Sequence, residues 1–189
     1  SFPDGMWALL GVENDVDMMS GAGFLTIEAF SLMLPIFFSI FAMGIGNRAI
    51  AGEETDGTLE LLAAMPISRG QLYFEKFLGL LFLLVSLGIC LGLSVLVAST
   101  WGNMGVSVAP IAGSSLMVVL LGLFFGTVTL VIGSITGRRG QTVAISTGVI
   151  AVTYALNVVA QMIESLTIIQ WLSPFYFYSE GMSLAHALQ

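Results

Sequence analysis

Four long apolar stretches dominate the pattern of hydrophobic and polar positions along the chain. A helix needs about 20 apolar residues to cross the hydrocarbon core of a bilayer, and each stretch is of that length. Glycine pairs at 88/92, 122/126 and 133/137 have the spacing that lets membrane helices approach closely. The pattern predicts an all-α integral membrane bundle whose spans cover residues 24–46, 77–99, 114–136 and 142–163.

Composition supports a membrane location. The chain is 57% hydrophobic and only 9% charged, with a mean hydropathy of +0.98. Soluble domains carry about 25% charged residues, so this chain could not cover its surface in water. Nucleic acid is excluded as a partner, because phosphate backbones require many basic residues and the chain has five, with a net charge of −7.

The basic residues predict the orientation of the spans. Loop 47–76 contains Arg48, Arg69 and Lys76, and loop 137–141 contains Arg138 and Arg139. Cytoplasmic loops are enriched in Lys and Arg, so both loops are expected on the cytoplasmic side of the cell membrane. Residues 1–22 and 171–189 are then external.

The external segment 171–189 carries aromatic side chains that would suit the interface between lipid and water. Pro174 is expected to break any helix there. The segment is therefore predicted to form an interfacial aromatic belt of Trp171, Phe175, Tyr176, Phe177 and Tyr178.

Residues 53–69 form the polar part of the long cytoplasmic loop. Thr55 or Asp56 could cap a helix over 57–65 that ends before Pro66. Ser68 would cap the following helix, with Gln71 completing a capping box, and Lys76 would extend to the lipid headgroups. The short helix would carry an apolar stripe of Leu59, Leu62 and Met65 and an acidic face of Glu53, Asp56 and Glu60.

Two interpretations of this short helix are open. It could rest on the membrane surface, or it could dock a protein partner. Helices that lie on anionic membranes usually carry Lys and Arg on their polar face. Because this polar face is acidic, the sequence favours a basic protein partner.

Polar side chains inside the predicted spans are candidates for a transport pathway. Glu28 lies near the outer end of the first span, where a carboxylate suggests function but could also face external water. Tyr154, Asn157 and Gln161 share one face of the fourth span. They could line a pathway or form hydrogen bonds between helices; both interpretations remain open.

The sequence offers no support for an enzyme. It contains no H-E-x-x-H motif, no metal-ligand spacing and no arrangement of nucleophile and base typical of hydrolases. We therefore expect no catalytic residues, no metal and no cofactor in this chain.

One stretch resembles the coupling-helix region of ABC-2-type ABC transporter permeases. It reads Ala51-Gly52-Glu53-Glu54-x-x-Gly57-Thr58-Leu59-Glu60-Leu61-Leu62-x-x-x-Pro66-Ile67-Ser68-Arg69, followed by Glu75-Lys76. The resemblance implies a permease with six membrane helices, a second permease copy and an ATPase subunit or domain that binds this segment. The ATPase-coupling residues that it implies are Glu53, Glu54, Gly57, Thr58, Leu59, Glu60, Leu62, Pro66, Ser68 and Arg69.

The chain departs from this family pattern in two ways. It shows four of the six expected spans, so the first and last helices are expected before Ser1 and after Gln189. It also lacks the phosphate-loop pattern G-x-x-x-x-G-K-[ST], so ATP hydrolysis is expected on the partner. The leading hypothesis is the membrane subunit of an ATP-driven exporter; the alternative is a secondary transporter or membrane assembly factor.

Overall fold

The computed structural model describes residues 33–55, 57, 68–101, 108–162 and 173–179. All regular elements in this part of the chain are helical. Four helices are long and apolar enough to cross a membrane. We label them α1 (Leu34–Thr55), α2 (Arg69–Trp101), α3 (Val108–Thr136) and α4 (Arg139–Met162), and a short helix over 174–179 is α5.

The helices extend beyond the apolar stretches on the side of the basic residues. α1 continues from the predicted end at residue 46 to Thr55, α2 begins at Arg69, and α4 begins at Arg139. The two predicted loops are therefore shorter than 47–76 and 137–141. Hydropathy locates only the apolar part of a helix, whereas backbone hydrogen bonds continue through its polar end. Residues 24–32 of the first predicted span lie outside the described residues.

Helix α3 is the centre of the bundle, with α1, α2 and α4 packed around it. Half of the most apolar 18-residue stretch of α3 is buried inside the chain, compared with 17% of the corresponding stretches of α2 and α4. Small residues allow this close packing, since a β-carbon placed on Gly126 would lie 2.8 Å from Leu80 and 3.2 Å from Ala42. The core between these helices includes Phe38, Ala42, Leu80, Leu84, Val118 and Phe125.

Two of the three predicted glycine pairs lie at helix contacts. Gly88 and Gly92 of α2 face Val119 and Ser115 of α3, and Gly122 and Gly126 face α1 and α2. The third pair differs, because Gly133 packs against α1 whereas Gly137 lies just beyond the end of α3. The apolar outer surfaces of α2 and α4 suit contact with lipid, as expected for a multi-pass membrane protein.

Helix α5 inserts into the bundle. Phe175 is 4% exposed and Tyr178 is 6% exposed. The Phe175 ring centroid lies 5.3 Å from that of Phe125 and 5.4 Å from that of Tyr154. The Ser173 hydroxyl donates a 3.1 Å hydrogen bond to the Thr153 carbonyl in the middle of α4.

The predicted aromatic belt therefore does not hold for Phe175 and Tyr178, which are core residues; Phe177 is exposed. The predicted helix break at Pro174 is also wrong, because Pro174 is the first residue of α5. Proline is well tolerated at that position, where its missing N–H would have no helical partner. Trp171 lies outside the described residues.

Candidate functional site at the basic end of the bundle

The five basic residues of the chain lie within about two helical turns of one end of the bundle. We call it the basic end. It is formed by the last turns of α1, the first turns of α2 and the turn between α3 and α4. Segment 56–68 connects α1 to α2 at this end, so most of the predicted coupling residues belong here.

Helix α1 changes its hydrogen-bonding pattern as it reaches the basic end. Residues Arg48–Gly52 form a π-helical turn, in which Ile50, Ala51 and Gly52 are buried, and Glu53–Thr55 form a last α-helical segment. Single π-helical turns within α-helices are frequent at functional sites. In α1 this turn precedes the two acidic residues Glu53 and Glu54 that contact other helices.

Helix α1 ends at Thr55, whose hydroxyl donates to the Ala51 carbonyl at 2.6 Å, within α1. The short helix that Thr55 is predicted to cap lies outside the described residues apart from Gly57. Gly57 has φ +74° and its N–H donates to the Glu54 carbonyl at 3.2 Å. A left-handed glycine is a common helix terminator, so the chain turns at Gly57. Asp56, the other predicted cap, lies outside the described residues.

An ion pair joins Glu53 of α1 to Lys76 of α2. Both side chains are about three-quarters buried, with 25% and 23% of their surfaces exposed. The sequence predicts that Lys76 extends to the headgroups, but its ammonium group pairs with Glu53. The pair connects the helices on either side of segment 56–68.

A second contact connects Glu54 to the α3–α4 turn. Gly137 has φ +60°, and its N–H donates to the Gly133 carbonyl at 3.0 Å, which ends α3. A β-carbon on Gly137 would lie 2.6 Å from Glu54 Oε1 and 2.7 Å from Oε2. The glycine therefore leaves the space that the carboxylate occupies, near the start of α4, where negative charge is favoured.

In a third contact, the side chain of Arg139, at the start of α4, reaches α1. A β-carbon on Gly52 would lie 2.9 Å from Arg139 Nη2 and 3.3 Å from its Nε. The guanidinium group of the first residue of α4 thus lies over the backbone of the π-helical turn. We call the pairs Gly52–Arg139 and Glu54–Gly137 the turn clasp.

The predicted cap of α2 is confirmed in part. The Gln71 N–H donates to Ser68 Oγ at 3.2 Å, as expected for an N-cap serine. The Gln71 side chain donates to Glu75 at 3.3 Å rather than returning to the Ser68 backbone, so the capping box is incomplete. Arg69 is the first residue of α2. Thr58, Leu59, Glu60, Leu62 and Pro66 lie outside the described residues.

Two of the candidate pathway residues of α4, Tyr154 and Asn157, are at least partly buried in the bundle. Asn157 is 7% exposed, and its Oδ1 has no hydrogen-bond partner among the described residues. Tyr154 packs edge-on against Phe175. Gln161 lies in the last turn of α4, and Glu28 lies outside the described residues. The structure thus places Tyr154 beside α5 and buries Asn157, and a pathway role for these residues stays a prediction.

Sequence reasoning did not identify Gly52, Gly137 or Arg139 as parts of a functional site. In the sequence, Gly137 stands out only as a packing glycine, and Arg139 only as a marker of orientation. Their partners are more than 80 positions away along the chain. In the sequence, segments 52–54 and 137–139 each contain a glycine next to charged residues. This pattern does not show that the two segments are in contact.

Comparison with known proteins identifies the class of this membrane bundle. A family model described as ABC-2 family transporter protein matches residues 8–189. The chain therefore belongs to the ABC-2 transporter family, which confirms the resemblance seen in residues 51–76.

One relative is the probable ABC transporter permease protein NosY of Pseudomonas aeruginosa. It is 30% identical over 99 residues, which cover 52% of this chain and 33% of that protein. The chain thus spans about a third of the length of this relative. No solved structure matches the chain.

Proposed function

We propose that the chain is the membrane-spanning permease subunit of an ATP-driven ABC-2-type exporter. Its role would be mechanical: a partner ATPase hydrolyses ATP and moves segment 56–68, and the helices joined to that segment move the substrate. Membership of the ABC-2 transporter family supports a role as the membrane subunit of an ABC transporter.

The Glu53–Lys76 ion pair is the observation that carries this proposal. It joins the last turn of α1 to the second turn of α2, on either side of segment 56–68. A force applied to that segment would therefore act on both helices together. A loose surface helix would need no such connection between the helices at its two ends.

The proposed partners follow from the same arrangement. The basic end would face the cytoplasm, since Lys and Arg concentrate on that side of membranes. ATP is available there, and the ATPase would be a separate subunit or domain, because this sequence contains no phosphate-loop pattern. A second permease copy would complete the transporter.

The first prediction tests the ATPase partner through Glu60, which the resemblance places in the docking segment. We expect an ATPase with a phosphate loop to copurify with the tagged chain from its native membranes. Glu60→Lys should reduce the amount recovered several-fold, because opposed like charges across an interface are costly. The readouts are mass spectrometry of the purified complex and its vanadate-sensitive ATP hydrolysis.

Glu13→Lys is the matched control, because it makes the same charge change in a segment predicted to be external. It should leave copurification unchanged. If no ATPase copurifies with the unsubstituted chain, the proposed function is wrong. If Glu60→Lys and Glu13→Lys both behave like the unsubstituted chain, the docking role of segment 56–68 is wrong.

A further inference from the structure

We infer that the 137–139 turn is a second transmission element, which passes movement of the end of α1 to α4; this inference rests on the proposed function. The family resemblance assigned coupling residues only to 53–69. The structure shows that the end of α1 contacts the α3–α4 turn as well as α2. The two neighbouring glutamates point in different directions, Glu53 to α2 and Glu54 to the turn.

The turn clasp is a contact at two points. Gly52 meets Arg139 and Glu54 meets Gly137, so two short segments lie side by side with opposite chain direction. Each segment contributes one glycine and one charged side chain. A contact at a single point would let the segments pivot, whereas two points oppose both sliding and rotation. Movement of Glu54 and Gly52 would therefore displace the turn.

The turn is built to move as a unit with the first turns of α4. Thr136 Oγ1 and Thr142 Oγ1 share a 2.6 Å hydrogen bond across it. The Thr142 N–H and hydroxyl both lie 3.0 Å from the Arg138 carbonyl. Thr142 is fully buried. The two Thr142 bonds hold Arg138 to α4, so a push on the turn would act on α4, and the Thr136–Thr142 bond joins the same region to the end of α3.

Helix α4 is also less constrained than α3. Only 17% of its most apolar 18-residue stretch is buried inside the chain, compared with half for α3, so fewer internal contacts oppose its displacement. The charged groups of the clasp belong to exposed residues, Glu54 and Arg139. Exposed charges contribute little to folding stability, so the clasp can be altered without unfolding the bundle.

The test uses a fluorescent bimane label on single cysteines in the complete permease–ATPase complex. The native Cys90 is exposed and is first replaced by serine. One label is placed on α1 through Ile40→Cys and another on α4 through Ala155→Cys, both at exposed positions. The measurement is the change in emission when MgATP and vanadate are added.

With an unsubstituted clasp, we expect both labels to respond to nucleotide. Arg139→Ala removes the guanidinium group, and Gly52→Leu displaces it. Both variants should keep the α1 response and lose the α4 response. Gly44→Leu is the matched control on α1, because a β-carbon there meets nothing within 4 Å; it should keep both responses.

The possible failures are distinguishable. An α4 response that persists in both Arg139→Ala and Gly52→Leu, while α1 still responds, would overturn the inference alone. If neither the α1 label nor the α4 label responds with the unsubstituted clasp, in a complex that hydrolyses ATP, both the inference and the proposed function are wrong. If Gly52→Leu reduces folded yield, Arg139→Ala decides the question, since it adds no volume.

Discussion

At the scale of single residues, glycines in this bundle serve different purposes, and the neighbour of each glycine decides what a substitution would do. At Gly52 the neighbour is the tip of the Arg139 side chain, which can move away. At Gly46 the neighbour is the backbone of α3: a β-carbon would lie 2.7 Å from the Gly126 carbonyl oxygen. The same substitution should therefore perturb function at Gly52 and stability at Gly46.

We predict that Gly46→Ala destabilises the bundle by about 1–3 kcal/mol, the usual cost of overpacking. Gly44→Ala is the matched control two residues away on the same helix, where nothing lies within 4 Å. It should leave stability unchanged or raise it slightly, since alanine favours helix over glycine. The measurement is the free energy of unfolding in detergent or bicelles; equal stability of the two variants would contradict the packing of α1 on α3.

At the scale of elements, hydropathy predicted the four spans because each is a long apolar run. It did not predict α5, because 174–179 is short and its aromatic residues are equally suited to a membrane interface and to a core. The choice depends on Phe125 and Tyr154, which lie in other helices. Contacts of this kind cannot be inferred from the segment itself.

Phe175→Ala should destabilise the protein by roughly 3 kcal/mol or more, as expected when a buried phenylalanine is removed. Its side chain is 4% exposed and contacts the rings of Phe125 and Tyr154. Phe177→Ala removes the same group from an exposed position in α5 and should have little effect. If the two variants have the same midpoint of thermal unfolding, α5 is not part of the core.

At the scale of the whole molecule, the sequence predicted the cap of α2 but not the contacts that join the helices at the basic end. Local chemistry predicted the Ser68 cap, because capping depends on residues three apart. The Glu53–Lys76 pair joins residues 23 positions apart, and the turn clasp joins α1 to the α3–α4 turn. These contacts depend on how α1, α2 and α3 pack, which hydropathy does not specify.

In the proposed mechanism, α3 would be the fixed centre of the bundle and the other helices would move around it. α1 and α2 would receive force together through Glu53 and Lys76, and α4 would receive it through the turn clasp. We propose that Glu53 acts within the chain, on Lys76, rather than as a docking residue for the ATPase. Exchanging the charges of Glu53 and Lys76 separates the internal role from the docking role. The exchange preserves the ion pair within the chain but reverses the charge that an ATPase would contact at residue 53.

The most direct measurement is the nucleotide response of a bimane label on α2, at Leu93→Cys in the Cys90→Ser background, when MgATP and vanadate are added to the complex. Leu93 is exposed and distant from the basic end. We predict that Glu53→Lys and Lys76→Glu each reduce this response and that the double variant Glu53→Lys/Lys76→Glu restores it, with the ATPase still bound in all three. Full responses in both single variants, or no restoration in the double variant, would show that the ion pair does not transmit the movement.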